Sequence, residues 1–304
     1  MQKKYYISGN CLVEGQGEDC PVTLYIAPDA AERRYLVEVL QIDEHTLNSA
    51  LDPDEQPRLE FEPNHVAIIY KRPKNYSAEE EFLFKVGSVG MFLFKDQLVL
   101  VASENDGIFD TRPMTKVKSL THVVLKLVFM SISHFLGHLK VIQMISDELE
   151  HKINAGMDNR YLLNLFTLEK SLVYYLNAIN SNGLLIERMR NTCAKIGIQG
   201  EELEYLDDIL IENNQCFKQA EIYSNVLSGL MDARASIVSN NLNVLMKTLT
   251  MITIAIMVPT FVVSAFSMNV TIPLERHPYA FYIIMSLAAT SVLSFLAIWR
   301  IKKL

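Results

Sequence analysis

The apolar residues follow two different rhythms, and the rhythm changes near Asp110. Up to that point short β-rich runs alternate with turn residues. They are Val22–Ile26, His65–Tyr70, Gly90–Phe94 and Gln97–Val101. Helical spacing enters there only at Ala31–Gln41, where Tyr35, Leu36 and Val39 share a face, and at Glu44–Ala50; Asp52–Pro57 reads as a loop. After Arg112-Pro113 the apolar positions recur at three and four. They predict long helices over Ser119–Ile153 and Asp158–Cys193, broken at Asn154-Ala155-Gly156. A further break at Gly197–Gly200 precedes a stretch with no proline before Pro259 and a single glycine, Gly229. That stretch predicts one helix from Glu201 to about Phe266, roughly 100 Å long at 1.5 Å per residue. Its apolar seam runs through Leu203, Leu206, Leu210, Phe217, Ala220, Leu227, Met231 and Val238, with Asn213, Ser224 and Arg234 expected to interrupt it. So long a helix needs neighbours, which points to the two preceding helices and to other copies of the chain.

The periodic pattern then gives way to unbroken apolar sequence. No charged side chain occurs between Lys247 and Glu275, and Thr248–Phe266 is long enough to cross a hydrocarbon core of about 30 Å. A second uncharged run, Tyr279–Trp299, has aromatics at both ends and is followed by Arg300, Lys302 and Lys303. With only a short loop between them the runs predict an antiparallel hairpin, and the terminal cations place both chain ends on the cytoplasmic side of a plasma (inner) membrane. Met1–Asn10 has no apolar core of signal-peptide length. The expected architecture is an α+β cytoplasmic domain followed by long helices and a two-span hairpin. Its divisions are an α/β domain over 1–112, a helical stalk over 113–246, a first span over 247–267, an outer loop over 268–278, and a second span with a basic tail over 279–304.

Charge and composition narrow the function. A net charge of −7 over 304 residues argues against a nucleic-acid partner and suits a protein that gathers cations, or simply an acidic solvated surface. Cys11, Cys20, Cys193 and Cys216 have no paired spacing, so neither a disulfide frame nor a thiolate metal site is indicated. His134 and His138 lie four apart on a predicted helix, but without a third ligand they read as packing or surface residues. No nucleophile-elbow, zinc-protease or phosphate-loop motif is present, and Gly87-Ser88-Val89-Gly90 lacks the context of a phosphate-binding turn. An enzyme is therefore not expected.

The first apolar run carries a pattern of its own. Asn243, Met246, Leu249, Thr253, Met257, Thr260 and Ser264 recur at three or four and make one face small, hydroxylated or sulfur-bearing. Ile252, Ile256, Val262 and Val263 are expected on the opposite side. Such a face lines either a pore or a helix contact, since small and hydroxyl residues serve both. Pro259 removes the hydrogen bond to the Ala255 carbonyl, which either a neighbouring helix or a water-filled cavity would tolerate.

The segment Asn243–Thr250, a span with a mid-helix proline, Ser267-Met268-Asn269-Val270, Pro273, a short loop, a second span and a basic tail together resemble the CorA family of magnesium transport channels. Thr167–Tyr175 and Leu230-Met231-Asp232 are also similar to members of that family. The resemblance implies a homopentameric funnel-type channel for divalent cations, magnesium foremost and cobalt among them, that takes up Mg2+ passively along the membrane potential. It implies an ion-selecting mouth at Ser267, Met268 and Asn269, where Asn269 holds the hydrated ion. It makes Asn243, Met246, Leu249, Thr253, Met257, Thr260 and Ser264 the pore lining, with Met246, Leu249 and Met257 as apolar constrictions. Asp232 matches a family aspartate that binds a regulatory magnesium, with Glu104 or Asp106 as candidate partners. Glu275 would attract cations at the outer loop, and Arg300, Lys302 and Lys303 would ring the inner mouth. The family loop begins with glycine where this chain has Ser267, a change expected to cost about 1 to 2 kcal/mol if that position needs a left-handed backbone. A zinc transporter of the same fold, or a membrane-anchored sensor that carries no ion, would share many of these features.

Overall fold

A computed structural model describes the chain except residues 16, 18–19, 77–81, 105–106, 110–113, 156–158, 269–276 and 303–304. Among the described residues seven strands form one sheet in the order β2-β1-β3-β7-β6-β5-β4. They are β1 (Gln2–Ser8), β2 (Cys11–Gly15), β3 (Val22–Ile26), β4 (Arg58–Phe61), β5 (His65–Pro73), β6 (Val86–Phe94) and β7 (Leu98–Ala102). Only β3 and β7 pair in parallel, with Leu24 opposite Leu100. The α and β elements of this region agree with the expected soluble domain.

Alternation along the central strands builds two cores. Ile68, Tyr70, Val89, Met91, Leu98 and Leu100 point to one face, while Ala67, Ile69, Phe92, Val99 and Val101 point to the other. The second face is covered by a π-helical turn at Tyr35–Val39, which continues the exposed α1 (Ala30–Arg34), and by α2 (Glu44–Leu51). Asp29 caps α1 by accepting from the Ala31 and Glu32 amides while Glu32 bonds back to the Asp29 amide, and Asp43 caps α2 through the Thr46 amide. The helix expected over Ala31–Gln41 is thus divided. Its last turn widens so that the Leu40 amide reaches the Tyr35 carbonyl, and Gln41 at φ 59° ends it. Gly87–Gly90 lies inside β6, where Gly90 leaves room for Ala50.

The first face is covered by α3 (Leu120–Ala155), α4 (Asn159–Asn191) and the first part of α6 (Glu201–Phe266). Between α4 and α6 come a short α5 (Cys193–Ile196) and the left-handed Gly197 and Gly200, at φ 89° and 57°. The buried stripe of α6 is Leu206, Ile209, Asn213, Cys216, Ala220 and Leu227. Asn213 belongs to the seam rather than interrupting it. Its Nδ2 donates to the Ile179 carbonyl at 3.0 Å, above Gly183, where a Cβ would come within 2.9 Å of that nitrogen.

The chain forms two compact units, Met1–Met231 and Asp232–Leu304, and α6 contributes to both. Among the described residues three helices are long and apolar enough to cross a membrane, but they differ in burial. In α3 44% of the apolar window is buried, within the first unit's core, whereas the window in α6 is 0% and that in α7 (Ala280–Lys302) 6% buried. Burial against protein accounts for the apolar character of α3. The runs in α6 and α7 have no such cover, and bare apolar helices of this length belong in lipid.

Candidate functional site

At 100° per residue, Asn243, Met246, Leu249, Thr253, Met257, Thr260 and Ser264 fall within a sector of about 120° on α6. All seven are exposed. The reduced exposure on this segment lies elsewhere, on Met251, Ile254, Ala255, Val258, Pro259, Val262, Ala265 and Phe266, a stripe roughly opposite. On α7 the less exposed positions likewise form one stripe, Ala280, Ile283, Ile284, Ala288, Ser291, Val292 and Phe295. Ile252, Ile256 and Val263 do not oppose the hydroxylated face. They flank it by about 100° and are exposed, and of the four bulky residues expected there only Val262 joins the covered stripe.

The hydroxyls on this face have a defined polarity. Thr253 Oγ1 donates to the Leu249 carbonyl at 2.9 Å and Thr260 Oγ1 to the Ile256 carbonyl at 2.7 Å. With the proton committed to the backbone, each oxygen turns only lone pairs outward and acts as an acceptor. Pro259 sits one residue before Thr260, so one turn combines a missing backbone donor with a side chain bonded to the backbone.

At the end of α6, Ser267 gives both its amide (3.1 Å) and its Oγ (2.9 Å) to the Ser264 carbonyl. These bonds satisfy one of the carbonyls left open at a helix C-terminus. Ser267 is not among the residues with positive φ, so the strain expected from serine in the glycine position is not incurred here. Met268 is exposed. Asn269, Glu275 and Lys303 lie outside the described residues. Arg300 is exposed near the end of α7, and Lys302 is that helix's last residue.

Asp232 is exposed, and its carbonyl accepts from Ser236 Oγ at 3.0 Å. Of its two candidate partners, Glu104 is paired with Lys74 at 2.6 Å and Asp106 lies outside the described residues. Among the described residues no group of three or more His, Cys, Asp or Glu is placed to hold a metal ion. His134 and His138 meet edge to face at 4.4 Å between ring centroids on α3, and His138 Nδ1 lies 2.6 Å from the buried Tyr175 hydroxyl. Burial pushes both imidazoles down to about 4, so they are neutral packing residues. The four cysteines are unpaired thiols, and burial raises that of Cys216 to about 12.

A soluble α/β unit joined through one helix to two bare apolar segments defines an integral membrane protein with a large extramembrane part. The profile of the CorA-like Mg2+ transporter family matches residues 24–303, and the chain belongs to that family, whose members are transporters and not enzymes. The chain is 25% identical over 283 residues to the cobalt/magnesium transport protein CorA of Methanocaldococcus jannaschii, covering 90% of this chain and 87% of that one. It is 23% identical over 235 residues to the protein of the same description from Thermotoga maritima, covering 73% and 65%. The complete structure of the M. jannaschii CorA magnesium transporter superposes with a TM-score of 0.83 at 22% identity, over 99% of this chain and 97% of that one.

Proposed function

We propose that this protein is a passive divalent-cation channel, with magnesium as its principal substrate, and that the hydroxylated face of α6 lines the ion path. The observation that carries this reading is the placement of Thr253, Met257, Thr260 and Ser264 on an uncovered face, roughly opposite the stripe of lower exposure. In this reading α6 and α7 form an antiparallel hairpin with their covered stripes together and both chain ends in the cytoplasm. Copies of α6 surround the path as a homopentamer. Self-association is supported by exposed apolar side chains that a lone chain leaves bare, Leu163, Phe166, Val173 and Leu184 on α4 and Ile211, Ile222 and Val226 on α6.

Magnesium sheds its water reluctantly, so the path has to recognise a hydrated ion. Shell waters bind the cation through oxygen and turn their hydrogens outward. A suitable wall therefore presents acceptors. Thr253 and Thr260 do so because their protons are already held by the helix. At the mouth, rings of Ser267, Met268 and Asn269 would offer the Asn269 amide oxygens in the same sense, while Glu275 raises the local cation concentration. Met246, Leu249 and Met257 would close the path by dewetting. Asp232 would bind a regulatory magnesium between copies, and Arg300, Lys302 and Lys303 would face the cytoplasmic leaflet. The membrane potential suffices as a driving force, worth about 4.6 kcal/mol per 100 mV for a divalent ion.

The test is flux into liposomes with a negative-inside potential, for magnesium, cobalt, nickel and zinc, comparing the native protein with Asn269→Ala. Magnesium entry that follows the potential and is lost in the variant is expected. Zinc entry that follows a pH gradient instead would assign a zinc transporter, and absence of any flux would leave a non-transporting sensor.

A further inference from the structure

The turn His277-Pro278-Tyr279-Ala280 leads into α7 from the segment between the two bare helices, and its first residue holds it. The Ala280 amide donates to the His277 carbonyl at 3.0 Å, and the Ile283 amide to the Tyr279 carbonyl at 3.1 Å. The Tyr279 amide donates instead to a side chain, at His277 Nδ1, over 3.3 Å. Amides at the start of a helix have no partner within it and depend on such caps. Aspartate and asparagine commonly cap through an oxygen one bond beyond Cγ, which reaches the amide two residues on. In His277 the acceptor is Nδ1, also one bond beyond Cγ. Pro278, between the cap and the capped amide, has no N–H to satisfy and a φ already set for a helix.

An imidazole differs from a carboxamide in that its acceptor can be lost. Nδ1 accepts only while it carries no proton, and imidazole is the side chain that ordinarily gains one between about pH 5 and 8. Protonation turns the acceptor into a donor aimed at the Tyr279 donor, and it sets a cation against the positive end of the helix dipole. His277 is exposed, so protons reach it from solution. Its ring centroid lies 6.1 Å from that of Tyr279, and Ser267 and Met268 at the end of α6 bring no charge. Glu275 and Arg276, which precede it in sequence, lie outside the described residues. We propose that His277 is a proton-released cap on α7, and that acid on the outer side loosens the start of this helix and lowers cation flux. The effect on flux rests on the channel reading above, in which this segment stands at the outer mouth; the cap itself does not.

The experiment compares the native full-length protein with two variants. His277→Asn keeps an acceptor one bond beyond Cγ and takes up no proton, and His277→Ala has no acceptor. Hydrogen exchange over residues 279–284 is read by mass spectrometry at about pH 5.5 and about pH 8, the three proteins being compared at equal pH so that intrinsic rates cancel. At the higher pH the native protein and His277→Asn should be equally protected, and His277→Ala about threefold or more less. At the lower pH the native protein should fall to the level of His277→Ala while His277→Asn stays protected. In liposomes with a negative-inside potential, acidifying the outside over the same range should lower native magnesium entry about threefold or more and leave His277→Asn unchanged. The same pH course of protection in the native protein and His277→Asn would overturn the assignment. So would native flux that ignores the outer pH while the cap is released. Absence of flux at every pH would instead overturn the channel reading, and exchange alone would then decide the cap.

Discussion

Replacing Asn182 by leucine tests how the helices are fastened to the sheet. On its outer edge β5 pairs with β4 only as far as Ile69 opposite Arg58, because β4 begins after Pro57. Two residues further along, no strand among the described residues lies beside the Lys71 backbone on that side. Asn182 of α4 takes the strand's place. Its Oδ1 accepts from the Lys71 amide at 2.9 Å and its Nδ2 donates to the Lys71 carbonyl at 2.8 Å. The side chain is 2% exposed, so water does not compete. Leucine of similar size would leave the Lys71 amide buried without a partner, at about 1–3 kcal/mol. The carbonyl keeps Ser131 Oγ at 2.8 Å, so its second bond is worth only about 0.5–1.5 kcal/mol. A total of about 2–4 kcal/mol corresponds to a fall of roughly 30- to 1,000-fold in hydrogen-exchange protection over residues 65–73. Exchange measured by mass spectrometry on the full-length protein reads this directly. Protection within about threefold of the native value, in a folded variant, would refute the argument.

Other outcomes follow from single contacts. Gly90→Ala puts a Cβ 2.5 Å from Ala50 Cβ and 3.1 Å from the Phe92 ring, so a loss of about 1–3 kcal/mol is expected in thermal melting, partly restored by adding Ala50→Gly. His134 and His138 have folded-state pKa values of about 4, below the ordinary 6.5. The unfolded chain therefore binds more protons between those values, and stability present above about pH 6.5 is lost as the pH falls towards 4. His138→Gln should flatten the melting temperature's dependence on pH in that window. Ser267→Gly removes one of two hydrogen bonds to the Ser264 carbonyl and relieves no left-handed strain, so magnesium flux within about threefold of native is expected.

What the sequence made legible depended on how local the signal was. The long helix α6 could be read to its last residue because nothing between Gly200 and Phe266 breaks it except Pro259, which the helix absorbs. The central strands β3, β5, β6 and β7 were legible because both their faces are buried and their apolar runs are dense. Strands β1, β2 and β4 were not. In β1 only Tyr5 is buried, and a seven-residue segment with one buried side chain carries almost no period. Asn213 looked like a flaw in the α6 seam because a polar residue counts against an apolar pattern. Its partner, the Ile179 carbonyl, lies 34 residues away and leaves no trace in composition. The apolar window of α3 is a related case, since hydropathy alone would admit it as a span and only its burial excludes that. By contrast the hydroxylated face of α6 was visible because helical spacing is a local property.

The central claim, that this face of α6 borders the ion path, is tested most directly by cysteine substitution at each position from Met251 to Ser264 in a background lacking the four native cysteines. A small cationic thiol reagent is applied during magnesium flux into liposomes. Rapid block is expected at 253, 257, 260 and 264, with little effect at 251, 254, 258 and 262. Block at the second set with sparing of the first, or block without helical period, would contradict it.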